Sequence, residues 1–143
     1  MNNKEETMKQ KIFILIAFLS LCVCHINAQN KIDKLVDNYS AHTTSKYTSA
    51  VERNPKTRAI VKVVKVLELN YCNIQPFVNA FREEAKNGDF SEHKTDKGLT
   101  MTLTSRGATK NRIYMLKAKD YYANSAYTSR LSNCSITIIV KFK

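Results

Sequence analysis

The sequence predicts an α+β domain in which a mainly antiparallel sheet of about five or six strands packs against one main helix. Apolar residues recur at helical spacing over residues 74–87, and they alternate with polar residues in a series of short segments after residue 90. A turn containing Pro55 separates two further strand-like segments. A run of hairpins with a single well-formed helix is typical of an antiparallel sheet covered by that helix.

Two segments have the spacing of amphipathic helices. Residues 31–39 predict a short N-terminal helix, because their apolar side chains stand at i, i+3, i+4 and i+7. The main helix is predicted over 74–87, with Asn73 as a cap at its start and Gly88 as a stop at its end. The two apolar faces consist of Ile32, Leu35, Val36 and Tyr39 in the first helix and Ile74, Phe77, Val78, Phe81 and Ala85 in the second.

The predicted strands begin with a hairpin formed by residues 47–52 and 59–69. Its second strand is rich in β-branched residues and apolar on both faces, which predicts a central strand covered on at least part of each side. The later predicted strands alternate between apolar and polar residues and are 90–94, 99–104, 111–118 and 134–142. Residues 120–133 are predicted to form a longer irregular loop.

The N-terminal segment has the three parts of a secretory signal. Residues 1–11 are polar and carry three lysines, residues 12–24 are largely apolar, and Ala28 is a small residue suited to cleavage. The apolar run is shorter than the ~20 residues that a membrane span needs. We therefore expect a signal peptide over 1–28 and a single domain over 29–143. Two alternatives stay open: a lipoprotein anchored through Cys22 or Cys24, and translation from Met8.

Length, charge and cysteine content limit what the domain can be. The 143 residues are too few for a (β/α)8 barrel, which needs ~250. The formal charge of +11 is carried by 23 basic and 12 acidic residues. Cleavage after Ala28 removes three lysines and two glutamates, so the charge excess stays with the domain. Cleavage leaves Cys72 and Cys134, and two cysteines in an exported protein predict one disulfide or, alternatively, two buried thiols. A bridge would require their strands to be antiparallel neighbours.

The residue patterns that support common catalytic or cofactor sites are missing from the sequence. His42 and His93 are far apart and lack metal-ligand spacing, so we expect surface histidines and no metal. Neither a nucleophile motif nor a glycine-rich phosphate loop occurs. Glu83 and Glu84 are adjacent on a helix and diverge by ~100°, as on a solvated face. We expect no enzyme activity and no cofactor.

Two groups of residues are candidates for binding. A basic face is predicted from cations in or beside the strands: Lys62, Lys65, Arg112, Lys117, Lys119 and Lys141. Such a face would suit a polyanion or lipid headgroups, whereas the alternative is that outward lysines keep the sheet soluble and its edges unpaired. A ligand-contact loop is predicted from Tyr121, Tyr122, Asn124, Tyr127 and Arg130. The alternative for the loop is that its rings pack onto the sheet.

Three segments and the export signal carry a family resemblance. After the Ala28-Gln29 junction, the segments KIDKLVDNYS, YTSAVERNPKTRAIVKVVKVLEL and FREEAK follow in order. In these the chain resembles a small uncharacterised family of short Sec-exported proteins from Bacteroides-type bacteria. The resemblance implies an α+β domain in the periplasm, the outer envelope or the extracellular space of a Gram-negative cell, and it implies no activity.

The function that we expect from the sequence is a non-enzymatic module that binds an envelope protein or glycan. The alternatives are a basic domain that binds a polyanion or membrane surface, and a small enzyme with an unrecognised site. Nucleic acid is not an expected partner, because the protein is expected to leave the cytoplasm.

Overall fold

The computed structural model of the protein describes residues 30–119 and 131–143. These residues form two α-helices on one six-stranded antiparallel sheet. The elements in chain order are α1 (Lys31–Ser40), β1 (Ser45–Arg53), β2 (Ile60–Asn73), α2 (Gln75–Glu84) with a 3-10 turn (Ala85–Asn87), β3 (Asp89–Thr95), β4 (Gly98–Arg106), β5 (Lys110–Lys119) and β6 (Leu131–Phe142).

The strands are arranged in the order β1-β2-β6-β5-β4-β3. The hairpin β1–β2 forms one side of the sheet, and α2 then carries the chain across to β3 at the far edge. Strands β3, β4 and β5 return as a meander, and β6 fills the place between β5 and β2. As a result, β1 and β3 are the edge strands, whereas β6 is paired along both sides.

Both helices pack on the same face of the sheet, where their apolar residues form the core. Each helix buries one stripe, with Ile32 and Val36 from α1 and Phe77 and Phe81 from α2 fully buried. The sheet contributes alternate residues of its strands: Leu67, Leu69, Leu99, Met101, Leu103, Tyr114, Leu116, Ala118, Cys134, Ile136 and Ile138. The α+β class and the antiparallel sheet are therefore confirmed.

The helices differ in part from the prediction. Two helices of ten residues each cover the sheet, rather than one main helix, and α2 ends at Glu84 before the 3-10 turn. The Asn73 side chain does contact the start of α2: its Oδ1 accepts a hydrogen bond of 3.0 Å from the Gln75 amide. Gly88 does not end the helix by a left-handed conformation, since its φ is −179°. It is required because a Cβ there would lie 2.3 Å from the carbonyl oxygen of Thr104.

The strands also extend beyond their predicted limits. β6 begins at Leu131, so residues 131–133 are strand and not loop, because Asn133 and Ser132 continue the pairing with β5 and β2. β2 is an internal strand, as predicted, but within residues 30–119 and 131–143 only its helix-facing side is covered.

Candidate functional site: the open face of the sheet

The most distinctive surface of the described protein is the face of the sheet opposite the two helices, which we call the open face. Strand residues alternate between the two faces, so the neighbours of the core residues point to it. On β5, for example, Leu116 and Ala118 are buried under the helices, whereas Met115 and Lys117 lie on the open face. Six strands at ~4.8 Å spacing make this face roughly 24 Å wide.

An apolar stripe crosses the centre of the open face. Val64 on β2 pairs with Ile139 on β6, and Ile139 pairs with Ile113 on β5. One row along, Val66 and Met115 both pair with Thr137. The five apolar side chains are each half-buried, so part of every one is open to solvent on this face. We call Val64, Val66, Ile113, Met115 and Ile139 the apolar stripe.

Charged residues border the apolar stripe, and the cations outnumber the carboxylates. The described strands place three carboxylates on this face, and each has a cation close by. The pairs are Glu52 with Lys62 (3.6 Å), Glu68 with Lys46 (3.7 Å) and Asp89 with Arg106 (3.4 Å). Lys117, Lys119 and Lys141 are exposed, and none of them forms an ion pair with another described residue. The face therefore has an excess of three positive charges.

The predicted basic face is thus divided between the two sides of the sheet. Four of its six members lie on the open face, namely Lys62, Lys117, Lys119 and Lys141. Lys65 and Arg112 do not belong to it, because they point to the helix side, where Lys65 Nζ lies 3.3 Å from Asp37 and Arg112 Nη1 lies 3.3 Å from Asp33. A carboxylate on α1 meets each of these two cations, which is why a charged residue is tolerated on the covered face.

A buried polar cluster lies beneath α1. The Tyr114 hydroxyl donates a hydrogen bond to Asp33 Oδ2 at 3.1 Å, and the same oxygen meets Arg112. Burial, together with the charge of Asp33, raises the pKa of Tyr114 above its usual range, so the hydroxyl keeps its proton and stays a donor. Sequence analysis did not single out Asp33 or Tyr114. The three groups contact one another, while Arg112 Nε is buried without a hydrogen-bond partner among the described residues. We interpret the cluster as an anchor for α1.

The two cysteines lie side by side, as the predicted pairing of their strands requires. β2 and β6 are antiparallel neighbours, and the Sγ atoms of Cys72 and Cys134 are 3.9 Å apart. Both residues are free thiols in this structure. The adjacency of the strands is confirmed, whereas the disulfide itself stays a prediction.

Other residues singled out in the sequence are the candidate contact loop and the two histidines. The candidate contact loop, Tyr121, Tyr122, Asn124, Tyr127 and Arg130, lies outside the described residues. His42 and His93 are both exposed, and His42 packs against the Tyr39 ring with centroids 5.3 Å apart. Among residues 30–119 and 131–143, no group of three or more histidine, cysteine or carboxylate side chains is arranged to hold a metal ion.

Glu83 and Glu84 join the two helices. Glu83 forms an ion pair with the Lys31 side chain, and Glu84 accepts a hydrogen bond from the Lys31 amide at 3.1 Å. Both carboxylates therefore contact the first residue of α1. A shallow groove of about 270 Å³ between α1 and α2, lined by Leu35 and Ala80 among others, runs beside them. It is smaller than the ~300–1,000 Å³ usual for ligand pockets.

Comparisons with known proteins add no assignment. No family model, curated protein or solved structure matches the chain. Within the part of the chain that the structure describes, neither helix is long and apolar enough to cross a membrane. The open face and the chemistry of its residues are therefore the basis for inferring a function.

Proposed function

We propose that the protein is an exported, non-enzymatic binding module whose open face docks an acidic, partly apolar partner protein of the cell envelope. The observation that carries this proposal is the apolar stripe bordered by three lysines without ion-pair partners among the described residues. The export component depends on the signal-like residues 1–28, and so does the relation to Bacteroides-type secreted proteins.

The charge of the open face determines which charge its partner should carry. The three carboxylates of the open face are already matched by cations, so Lys117, Lys119 and Lys141 are left to interact with an incoming molecule. Complementary charge around an interface accelerates encounter and suppresses association with partners of like charge. A second copy of this chain would bring like charges together, and we therefore favour an acidic partner over a homodimer.

The apolar stripe selects the class of partner. Sugar rings are commonly held by stacking on exposed aromatic rings, whereas the stripe consists of Val64, Val66, Ile113, Met115 and Ile139. A pure polyanion would gain nothing from these aliphatic side chains. A lipid surface is best entered by fully exposed apolar groups, whereas the side chains of the stripe are half-buried. An acidic amphipathic helix fits best, because its apolar face can lie on the stripe while its acidic flanks meet the lysines.

The proposal can be tested with a designed probe. The full chain is expressed with its own first 28 residues in a Gram-negative host, and the product is purified from the envelope fraction. Its intact mass reports whether cleavage follows Ala28. An amphipathic helical peptide of leucine and glutamate is then titrated in, and methyl NMR shifts are mapped. We expect the shifts to concentrate at Ile113, Met115 and Ile139, with affinity falling steeply between about 0.05 and 0.3 M salt.

Charge reversal supplies the control. The variant Lys117→Glu/Lys141→Glu should weaken peptide binding by at least about tenfold, since two favourable contacts become repulsive. The matched variant Lys56→Glu/Lys94→Glu changes the net charge equally, away from the open face, and should bind nearly as the wild type does. Equal weakening by both variants contradicts the proposal. So does self-association through the open face, or equally tight binding to heparin or to phosphatidylglycerol vesicles.

A further inference from the structure

The meeting of Cys72 and Cys134 depends on an irregularity in β2. Cys134 pairs with Leu69, and both lie on the helix side of the sheet. Regular alternation from Leu69 would place Cys72, three residues on, on the opposite face. The register instead shifts between Leu69 and Cys72, so that Cys72 pairs with Ser132, which is two residues from Cys134. One extra residue in the strand therefore turns the Cys72 side chain toward Cys134.

Tyr71 lies in this bulge and has a strained backbone conformation. Its φ is 48°, a conformation that bulky residues rarely adopt, and 77% of its surface is exposed. The Tyr71 amide is held by a hydrogen bond of 3.1 Å to Asn133 Oδ1 on β6. Strained backbone of this kind persists where the surrounding structure holds it in place, and it is concentrated at functional positions.

The two thiols have different environments. Cys134 belongs to the core, with 6% of its surface exposed, whereas Cys72 is half-buried and open to solvent on one side. The hydrogen bond from Cys134 lowers the pKa of the Cys72 thiol, because it stabilises the Cys72 thiolate. The same bond, with burial, raises the pKa of Cys134. The accessible thiol is thus also the one that ionises first, as an attacking cysteine requires.

We propose that Cys72 and Cys134 form a thiol–disulfide exchange site in which Cys72 reacts with an external disulfide and Cys134 resolves the product. The Cys72 thiolate attacks one sulfur of the external disulfide, a bond forms between them, and the other sulfur leaves as a thiolate that takes up a proton. Cys134 then loses its proton and attacks Cys72 Sγ. The Cys72–Cys134 bond forms, and the second external sulfur leaves and is protonated.

The electrons balance within these two steps. The two protein thiols are oxidised by two electrons, and the external disulfide is reduced to two thiols that carry the two protons. The external oxidant belongs to the class of accessible disulfides, either a low-molecular-weight disulfide or the oxidised dithiol of another envelope protein. Closing the sulfur separation from 3.9 Å to the ~2.05 Å of a disulfide needs a small displacement.

Variants of the two cysteines test the order of attack. The full chain, expressed and purified as above and then reduced, is incubated with oxidised glutathione and followed by intact mass and peptide mapping. We expect the wild type to lose two hydrogens and to retain no adduct. Cys134→Ala should accumulate one glutathione on Cys72, because the resolving sulfur is gone. Cys72→Ala should react at least about tenfold more slowly, since Cys134 is buried.

Unfolding provides the control for these rates. In concentrated urea both single variants should react alike, which would show that the difference arises from the fold, and circular dichroism confirms that each variant is folded without urea. The proposal is overturned if folded Cys72→Ala forms an adduct as fast as Cys134→Ala does. It is also overturned if the wild type accumulates an adduct without forming the bridge, or if the bridge, once formed, resists reduction by excess glutathione.

Discussion

The buried carboxylate of Asp33 offers a direct test of how α1 is held to the sheet. Asp33 is 8% exposed, and its Oδ2 accepts the Tyr114 hydrogen bond and pairs with Arg112. The variant Asp33→Ala removes the partner of both groups at once. Tyr114 is then left with a buried hydroxyl that lacks its acceptor, and Arg112 is left with a largely buried, uncompensated charge.

The expected loss follows from these exposures. Removing one partner of a fully buried ion pair costs ~3–5 kcal/mol. The Arg112 side chain is 23% exposed, so water can reach part of the guanidinium, which lowers the expected loss to about 2–4 kcal/mol. Tyr114→Phe removes one hydroxyl and leaves the Asp33–Arg112 pair, so we expect a loss of about 1 kcal/mol.

The matched control is Asp37→Ala, one turn further along α1. Asp37 is the same residue type and also pairs with a strand cation, Lys65, but its side chain is 47% exposed. We expect a loss below about 1 kcal/mol in the free energy of unfolding. Urea unfolding followed by far-UV circular dichroism near neutral pH measures all the variants under the same conditions.

A double-mutant cycle completes the test. If the Tyr114 hydroxyl stabilises the protein through Asp33, Asp33→Ala/Tyr114→Phe should cost less than the sum of the single variants by about 1 kcal/mol. The anchoring role is refuted if Asp33→Ala costs no more than Asp37→Ala does. Strict additivity of Asp33→Ala and Tyr114→Phe would refute the coupling of the two groups.

Three further predictions concern packing and charge. The Arg82 guanidinium holds the pKa of Glu92 below its usual value. The pair therefore stabilises the folded state fully at pH values above the unfolded pKa of glutamate, and this stabilisation is lost as the pH falls through the folded pKa. Glu92→Gln should therefore cost about 1 kcal/mol near pH 7 and almost nothing near pH 3; an equal loss at both would contradict this. Phe81→Ala should cost about 3–5 kcal/mol and Phe81→Leu clearly less, because the ring is fully buried; equal urea midpoints would contradict this. Gly88→Ala should cost about 1–3 kcal/mol, since its Cβ would meet the Thr104 carbonyl; an unchanged midpoint would contradict this.

Local periodicity was enough to predict the elements whose burial is decided by near neighbours in sequence. The helix predicted over 31–39 and the hairpin predicted around Pro55 are confirmed, because apolar residues at helical or alternating spacing mark the buried face. The pairing of β2 with β6 was expected only if Cys72 and Cys134 form a bridge; the strands are antiparallel neighbours, whereas the bridge stays a prediction. The helix and the hairpin need no knowledge of distant contacts.

Features that depend on distant contacts could not be predicted in this way. The predicted basic face includes Lys65 and Arg112, although alternation along the strand already puts Lys65 on the side of Leu67 and Leu69. The acids that pair with these two cations lie on α1, 28 or more residues away in sequence. The signal was present only in part: Asp33 and Asp37 share one face of α1 at i, i+4. Likewise, the reason for Gly88 lies in β4, which approaches it in the folded sheet.

The positions of Lys117, Lys119 and Lys141 favour a role in binding over a role in keeping the protein soluble. Lysines that prevent sheets from associating are most useful on edge strands, which here are β1 and β3. Lys117 and Lys119 lie on β5 and Lys141 on β6, strands that are paired on both sides, so no unpaired backbone is protected by them. If they serve binding, Lys117→Gln/Lys141→Gln should weaken association with the acidic peptide several-fold and leave the solubility limit in ammonium sulfate nearly unchanged. Reduced solubility with unchanged peptide binding would instead assign these lysines to keeping the apolar stripe in solution.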